Sequence, residues 1–323
     1  MSYHVLVPDA VDRQALQLLE EHPDITVTAP SKMSRAETLA AVPAADALVI
    51  RSSTQADREL LEAATNLKVV ARAGVGVDNV DLVAATERGI VVMNTPDGNT
   101  ISTAEFTMGL MLSLARFIPN GYVSLGQGQW DRKSFTGVEL RGKTLGIVGF
   151  GRIGRAVAKR AIAFEMKVIA YDPYIDLNSA NKLGVEVVSL DTLFEESDFI
   201  SLHSVITEET RELINAKTIL KMKTGVRIIN AARGALINEH DLADAIKHGH
   251  VAGAALDVYD QEPPQPDNPL IGLKNVIHTP HLAASTSDAQ IQVGVEAAQL
   301  VIDALTKRQY NNVCNPDVLA KKH

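Results

Sequence analysis

The sequence predicts an α/β protein with two domains, each a mostly parallel, helix-covered sheet of Rossmann-like or flavodoxin-like type, with a cleft between them. Three observations predict this fold class. The chain has 323 residues, which is about twice the length of a common single domain. Short apolar runs alternate with helical patterns, as in parallel sheets covered by helices. One βαβ unit, at residues 143–172, is complete from its first strand to its second.

The βαβ unit carries a glycine turn between an apolar run at 145–148 and a helical pattern at 156–164. Gly149 permits the tight turn, Gly151 lets the backbone approach a pyrophosphate, and Gly154 lets the helix pack on the strand. The first N–H groups of that helix would face the phosphates. Asp172 follows the second strand, where its carboxylate can accept hydrogen bonds from a ribose and repel a 2′-phosphate. The unit therefore predicts NAD as the cofactor.

Composition excludes several classes of protein and partner. The net charge is −8 and there is no long basic run, so we expect no nucleic-acid partner. The first ten residues do not resemble a secretory signal and no apolar run reaches membrane-spanning length, so we expect a cytoplasmic protein without a membrane partner. Cys314 is the single cysteine, which excludes an internal disulfide and a cysteine-based metal site. We expect no metal.

The first part of the chain places two arginines after predicted strands. Strand candidates lie at 5–7, 47–50 and 67–71, with helical patterns at 11–21 and 57–64. Arg51 follows the second of these strands and Arg72 the third. Ligands bind beyond the carboxyl ends of strands in such sheets. Both arginines are therefore candidate ligand-binding residues, with ordinary surface charge as the alternative.

A long apolar helix is predicted at 102–117, after turn residues at 94–99. Ser102 and Glu105 fit a capping box, which would start the helix at Ser102. A helix that is apolar on most faces must be buried, and we expect burial between domains or between subunits of a homodimer or tetramer. A polar, glycine-rich segment follows at 120–142.

The remaining pattern returns the chain to its first domain. Further strands are predicted at 186–188, 199–202, 226–229, 254–256 and 276–277, with helices at 239–247 and 288–305. The last helix leads away from the dinucleotide-binding sheet. We therefore predict a discontinuous substrate-binding domain, residues 1–97 and 285–323, and an NAD-binding Rossmann domain, residues 98–284.

Three residues after late strands supply the groups needed to transfer a hydride between an alcohol and a carbonyl. His281 can exchange the hydroxyl proton near neutral pH, because an imidazole has an ordinary pKa of ~6.5. Glu262 would orient it, and Arg233 can hold a substrate carboxylate in two-point contact. The alternatives are a turn role for Glu262 and pyrophosphate binding for Arg233. We expect His203 to be structural and His278 to be a core residue.

The motifs resemble the D-isomer-specific 2-hydroxyacid dehydrogenase family over residues 5–316. The resemblance is densest at ARAGVGVDNVDL (71–82), MNTPDGNTISTAEFTMGLMLSLAR (93–116), GKTLGIVGFGRIGR (142–155), NAARGALINE (230–239), AGAALDVYDQEPP and HTPHLAAST. The sequences at 72–81 and 94–112 resemble those of the family members that oxidise 3-phosphoglycerate. Longer members carry a C-terminal regulatory portion, so we expect a natural short form or a truncated chain, and no regulation by serine is implied.

The resemblance implies roles for individual residues. Arg233, Glu262 and His281 would be the catalytic residues, with His281 as acid/base. The implied cofactor contacts are Val75, Gly149, Gly151, Arg152, Ile153, Gly154, Asp172, Ser204, Ala231, Ala232, Asp257, Ala283 and Ala284. The implied substrate-binding residues are Arg51 and Arg72 for a phosphate, and Gly74, Val75 and Gly76 for the carboxylate.

The expected activity is NAD-dependent oxidation of a D-2-hydroxy acid to its 2-keto acid. Its expected substrate is 3-phosphoglycerate, which would yield 3-phosphohydroxypyruvate in the first step of serine biosynthesis. One alternative is a reductase for glyoxylate, hydroxypyruvate or another small 2-keto acid. An alternative of another class is an NAD(H)-sensing, corepressor-like binding protein.

Overall fold

A computed structural model describes residues 2–320, which form two compact units. Unit 1 contains the residues up to Asn99 and those from Ser285 onward, and unit 2 is the continuous stretch Thr100–Ala284. Each unit is a parallel β-sheet with helices, which confirms the predicted α/β fold class. The assignment of substrate to one unit and of cofactor to the other stays a prediction.

Twelve strands form the two sheets in the part of the chain that the structure describes. They are β1 (Tyr3–Leu6), β2 (Ile25–Thr28), β3 (Ala47–Ile50), β4 (Val69–Arg72), β5 (Val91–Asn94), β6 (Thr144–Val148), β7 (Lys167–Tyr171), β8 (Glu186–Val187), β9 (Phe199–Leu202), β10 (Val226–Asn230), β11 (Val251–Leu256) and β12 (Val276–His278). The central strands β3 and β9 are buried along their whole length, as their apolar runs predict.

In residues 2–320, thirteen α-helices connect or cover the strands. They are α1 (Arg13–Glu20), α2 (Arg35–Ala41), α3 (Arg58–Ala63), α4 (Leu82–Glu87), α5 (Thr100–Arg116), α6 (Ile118–Gly126), α7 (Arg152–Ala163), α8 (Leu177–Leu183), α9 (Leu190–Glu196), α10 (Ala216–Ile219), α11 (Glu239–Lys247), α12 (Ser287–Ile302) and α13 (Asp317–Ala320). A π-helical turn, Asp303–Lys307, continues α12.

Unit 1 has the strand order β2-β1-β3-β4-β5. The order reverses between β1 and β3, and in such sheets ligands bind beyond the carboxyl ends of the strands at that reversal. Helix α12 packs against α1 and against β3, β4 and β5. The side chain of Asn315 accepts a hydrogen bond from Val92 N and donates one to Ile90 O, so the late segment covers the free edge of the sheet at β5.

Unit 2 has the strand order β12-β11-β10-β9-β6-β7-β8. Its reversal lies between β6 and β9, so the loop after β6, which carries the glycine turn, lies beside the loop after β9. All strand pairs are parallel. The sheet therefore presents the ends of β6, β7, β9, β10, β11 and β12 along one edge.

One expectation about residues 100–142 was wrong. Helix α5 begins at Thr100, so Ser102 lies inside it and is not its cap. Glu105 instead forms a 3.0 Å ion pair with Arg160. The spacing of Ser102 and Glu105 in the sequence fits a capping box equally well and gives no sign of this ion pair. The polar segment contains a helix, α6, which starts after Phe117 adopts a left-handed conformation with φ 54°.

The apolar character of α5 is satisfied within unit 2. It packs against α7, β10 and β11, and its buried residues include Met108, Met111 and Leu114. Its apolarity therefore gives no separate reason to require a second subunit. Among residues 2–320 no single helix is long and apolar enough to cross a membrane; α5 and α6 meet that test only as a pair bent by 64°.

Candidate functional site

The candidate residues of unit 2 follow the carboxyl ends of six of its strands. Gly149–Gly154 follow β6, Asp172 follows β7, Ser204 follows β9, Ala231–Arg233 follow β10, Asp257 and Glu262 follow β11, and His281, Ala283 and Ala284 follow β12. Parallel strands bring these loops to one edge of the sheet.

The glycine turn is closely packed where the backbone must pass and open where a phosphate would lie. A Cβ on Gly149 would lie 2.6 Å from both His203 C and Ser204 N, and one on Gly154 would overlap Gly149 O. Gly149 also has φ 91°, which favours glycine. No atom lies within 4 Å of a Cβ built on Gly151, the residue before α7. The turn therefore leaves the N-terminus of α7 accessible to an anion.

Two polar groups beside the turn fit a dinucleotide. The carboxylate of Asp172 accepts 2.8 Å hydrogen bonds from Phe150 N and Tyr174 N, which hold it next to the glycine turn. Ser204 Oγ is buried and has no hydrogen-bond partner among residues 2–320. An unpaired buried hydroxyl costs free energy, so a ligand group that bonds to it would stabilise the complex.

His203 lies beside the glycine turn and is uncharged. Burial lowers its pKa to about 4, so the imidazole is neutral near pH 7. Its Nε2 lies 2.8 Å from Ser201 Oγ on β9. This geometry agrees with the structural role expected for His203.

His281 and Glu262 form a hydrogen-bonded pair. His281 Nδ1 lies 2.7 Å from Glu262 Oε2, and Glu262 Oε1 accepts a 3.1 Å bond from Tyr259 N. A carboxylate only accepts hydrogen bonds, so Nδ1 carries the hydrogen and Nε2 of the neutral ring has the lone pair. His281 is about half exposed, which leaves Nε2 able to reach a substrate.

The pair shifts the pKa of each partner in the opposite direction. The hydrogen bond to Glu262 raises the pKa of His281 above its ordinary value, against the effects of burial and of the positive charge of Arg233. Burial alone would raise the pKa of Glu262, but the hydrogen bond from His281, together with the charges of His281 and Arg233, holds it below its ordinary value. The pair therefore favours imidazolium beside carboxylate.

Arg233 lies in a loop that is fixed from both sides. The buried side chain of Asn230 donates to Arg233 O at 2.8 Å and accepts from Ala232 N at 3.0 Å. A Cβ on Gly234 would overlap the carbonyl group of Tyr259, so this loop packs directly on the segment that leads to Glu262. Sequence reasoning missed Asn230 and Gly234 as loop-shaping residues, although both lie in the quoted NAARG motif.

Asp257 holds the loop that carries His281. Its buried carboxylate accepts hydrogen bonds from Thr279 Oγ1, Leu282 N and Ala283 N, while its main-chain oxygen accepts from His281 N. His281 has φ 55°, a left-handed conformation that is uncommon for a residue with a side chain. The contacts to Asp257 maintain this conformation. The sequence indicated Asp257 as a cofactor contact and missed this second role.

Among the candidate residues of unit 1, Arg51 follows β3, Arg72 is the last residue of β4, and Gly74, Val75 and Gly76 lie in the loop after β4. Arg51 Nη1 donates to Ala10 O at 3.2 Å, and Arg51 lines a cavity of about 260 Å³. The guanidinium of Arg72 lies where a side chain on Gly74 would be, and Gly74 has φ 147°, a conformation that favours glycine. The loop continues through Val75, whose carbonyl accepts a 2.6 Å bond from Asn94, to Gly76.

These features define a class of protein. A Rossmann-ordered sheet, a glycine turn at its reversal, an acidic residue after β7 and a histidine–carboxylate pair are typical of NAD-dependent oxidoreductases that move a proton and a hydride. Gly149, Gly151 and Gly154 fit the phosphates of the dinucleotide, Asp172 its ribose, and Ser204 a polar group near the turn. No cluster of metal-ligating side chains occurs in residues 2–320.

Comparison with known proteins identifies the family. Residues 108–283 match the family model described as D-isomer specific 2-hydroxyacid dehydrogenase, NAD binding domain. The chain is 49% identical to D-3-phosphoglycerate dehydrogenase from Archaeoglobus fulgidus over 96% of its own length and 59% of the relative's. It is 48% identical to hydroxypyruvate reductase from Thermotoga maritima over 94% of this chain and 98% of that one.

A solved structure has the same architecture. The TT0316 protein from Thermus thermophilus superposes with a TM-score of 0.87 and 37% identity, covering 96% of this chain and 99% of that one. The chain belongs to the D-isomer specific 2-hydroxyacid dehydrogenase family, and its cofactor is NAD. It spans about three fifths of the length of the Archaeoglobus relative.

Proposed function

We propose that the protein oxidises a D-2-hydroxy acid to the 2-keto acid with NAD. The His281–Glu262 pair carries this proposal, because alcohol oxidation needs a proton acceptor and the pair supplies one with a defined tautomer. NAD supplies the hydride acceptor when it is bound. The protein's own residues then have three tasks: to bind the acid, to orient it and to remove its hydroxyl proton.

His281 removes the proton. Its Nε2 accepts the proton of the substrate hydroxyl while the carbon that bears this hydroxyl loses its hydrogen as a hydride. The ring of His281 becomes imidazolium. Glu262 stabilises that charge through the hydrogen bond at Nδ1. In the reverse direction the imidazolium returns the proton to the carbonyl oxygen.

Arg233 binds the acid. Its planar guanidinium can hold a carboxylate with two parallel hydrogen bonds, and it is close enough to lower the pKa of both Glu262 and His281. The same charge stabilises negative charge on the oxygen at the reacting carbon. Main-chain N–H groups of Val75 and Gly76 are further candidates for the carboxylate, whereas the N–H of Gly74 already donates to Thr95 Oγ1 at 2.7 Å. The candidate residues for the nicotinamide side are Ala231, Ala232, Asp257, Ala283 and Ala284.

We propose 3-phosphoglycerate as the substrate, with 3-phosphohydroxypyruvate as the product in serine biosynthesis. Two arginines at strand ends of unit 1, Arg51 and Arg72, support a substrate with a second anionic group. The name of the Archaeoglobus relative supports the same substrate. A cytoplasmic location and a homodimeric or tetrameric assembly stay predictions.

A substrate panel tests the proposal. NADH formation is measured with 3-phosphoglycerate, D-glycerate and D-lactate, and NADH consumption with hydroxypyruvate and glyoxylate. We expect the highest kcat/KM with the phosphorylated acid. If no acid is turned over although NADH binds, the proposed activity is wrong and a sensing role is favoured.

A second candidate is reduction of hydroxypyruvate. The Thermotoga relative supports it, because that protein is named a hydroxypyruvate reductase and is 48% identical to this chain over 98% of its own length. A kcat/KM for hydroxypyruvate that exceeds that for 3-phosphohydroxypyruvate would favour this candidate.

Replacement of Glu262 by glutamine should shift the pH profile. The hydrogen bond to Glu262 is the largest cause of the raised pKa of His281, and the negative charge of Glu262 adds to it. Glutamine can still accept a hydrogen bond from Nδ1 but carries no charge, so the pKa of His281 should fall. Oxidation needs neutral His281, so its rising limb should move to lower pH. Reduction needs imidazolium, so its falling limb should move in the same direction. Profiles of kcat/KM in both directions test this, and unshifted limbs would contradict the assignment.

Replacement of Arg51 by alanine should affect phosphorylated substrates selectively. We expect KM for 3-phosphoglycerate to rise about 10- to 100-fold, the usual loss for a charged hydrogen bond, with little change for D-glycerate. Arg35, a partly exposed arginine that pairs with Asp57 and Glu59, offers a control in Arg35→Ala. An equal effect of Arg51→Ala on both acids would remove Arg51 from the phosphate site.

A further inference from the structure

The loop that begins at Arg51 is held by a buried carboxylate. Asp9, only 6% exposed, follows β1 and accepts hydrogen bonds from Arg51 N at 2.5 Å, Thr54 N at 3.3 Å and Thr54 Oγ1 at 2.8 Å. A buried carboxylate is costly unless its oxygens are bonded. All three of these hydrogen bonds are made to the loop after β3.

A second side chain holds the same two residues through their carbonyl groups. Asn79 Nδ2 donates to Arg51 O at 2.8 Å and to Thr54 O at 2.7 Å. The main-chain N–H and C=O groups of both Arg51 and Thr54 are therefore bound by Asp9 and Asn79. The sheet ladder ends at Ile50, so the conformation of this loop depends on these two side chains.

The loop 51–54, which Asp9 and Asn79 clamp, lies at the position where sheets of this strand order bind ligands. Strands β1 and β3 are neighbours, and the strand order reverses between them. The cavity of about 260 Å³ is lined by the loops after β1, β3 and β4 and by α12, including Arg51 and Ala10. Arg51 Nη1 rests on Ala10 O, the residue after Asp9. The loop after β1 therefore contacts Arg51 at both its main chain and its guanidinium.

We propose that Asp9 and Asn79 are positioning residues that set substrate selectivity by fixing Arg51 for the phosphate group of the substrate. This inference rests on the proposed role of Arg51. A guanidinium on a loose loop must lose conformational freedom on binding, whereas one on a clamped loop has lost it already. The clamp therefore contributes to binding of phosphorylated acids and not to binding of plain ones.

Steady-state kinetics of Asp9→Asn and Asn79→Ala test the proposal. Asparagine keeps the size of Asp9 and one acceptor oxygen, so the bonds from Arg51 N and Thr54 N go to a neutral oxygen and become weaker, while Thr54 Oγ1 must accept a hydrogen bond where it now donates one. We expect KM for 3-phosphoglycerate to rise about tenfold in each variant, the scale of one or two lost hydrogen bonds. KM for D-glycerate and kcat for both acids should stay within about twofold of wild type.

Asp46→Asn is the matched control. Asp46 precedes β3 at the opposite end of the strand, where its carboxylate accepts from His4 N at 2.9 Å and pairs with Lys68 at 2.8 Å. Its replacement removes a similar main-chain contact from the same sheet without touching the Arg51 loop. We expect a change in stability without a change in selectivity.

The outcomes separate this inference from the proposed function. It is overturned if Asp9→Asn and Asn79→Ala raise KM equally for both acids. It is also overturned if KM for 3-phosphoglycerate falls, which is the result expected if Asp9 acted on Arg51 through its charge alone. The inference is supported if both variants raise KM selectively for 3-phosphoglycerate, as Arg51→Ala is expected to do, while Asp46→Asn does not.

Hydrogen exchange gives a readout that is independent of turnover. The amides of Arg51 and Thr54 both donate to Asp9 Oδ2, so they should exchange faster in Asp9→Asn than in wild type, because their shared acceptor becomes a neutral amide oxygen. Unchanged exchange at both amides overturns the positioning role. If exchange rises but Arg51→Ala proves unselective, the substrate assignment fails while the clamp stands.

Discussion

Replacement of His281 by alanine should lower kcat about 10²- to 10⁴-fold, the range typical for loss of a general acid or base. The reason is that Nε2 of His281 is the proposed acceptor of the hydroxyl proton, and Glu262 cannot replace it because it bonds to the far side of the ring. NADH binding should persist, because the glycine turn and Asp172 lie in other loops. Fluorescence titration with NADH beside kcat measurements tests both parts.

Because the backbone of His281 has a left-handed conformation, a second variant is needed to separate loss of the imidazole from strain in the loop. With φ 55° an alanine would strain the loop, whereas asparagine tolerates the left-handed conformation. His281→Asn removes the imidazole and keeps the backbone, so both variants should lose kcat to a similar extent. His240→Ala, at an exposed position in α11, is the control. Near-normal turnover in His281→Asn would contradict the acid/base assignment.

Replacement of Gly234 by alanine should destabilise the protein by about 3 kcal/mol, at the upper end of the usual cost of overpacking. An added methyl group would overlap the carbonyl carbon and oxygen of Tyr259, which are main-chain atoms and cannot rotate away. The segment that leads to Glu262 must therefore move. Thermal unfolding should show a lower Tm, and kcat/KM should fall because the Glu262–His281 pair is displaced.

An exposed glycine provides the comparison. Gly109 lies in α5, and no atom lies within 4 Å of a Cβ built there. Gly109→Ala should leave kcat/KM unchanged and raise stability by up to about 1 kcal/mol, because alanine favours helices more than glycine does. Wild-type stability and activity in Gly234→Ala would show that the two loops are not packed as described.

The elements that were predicted with correct bounds are those marked by neighbouring residues in the sequence, either by a continuous apolar run or by a capping residue. The run at 47–50 became β3 with the predicted bounds because all four residues are buried, and 239–247 became α11 behind the N-cap Asn238. Helix α6 was missed because Gly121 and Gly126 weaken its helical pattern and the break before it is a single residue, Phe117, in a left-handed conformation.

The candidate site was predictable at the level of residue types and strand ends. Arg233, Glu262 and His281 each follow a strand, and the structure brings His281 and Glu262 into a hydrogen bond. The supports were not predictable, because Asp257 and Asn230 act through main-chain groups whose positions depend on tertiary packing. The roles assigned to these residues stay predictions until the variants are measured.

The discontinuity of unit 1 imposes an order on folding during synthesis. Unit 2 is one continuous stretch, so it can fold as soon as its last residues leave the ribosome. Strands β1 to β5 are made first, yet α12 and the Asn315 contacts that complete their sheet come last. At 5–20 residues per second, the early strands wait roughly 10–40 s for these partners. During that interval the sheet lacks these contacts and its edge at β5 is unpaired, which exposes it to pairing with other chains.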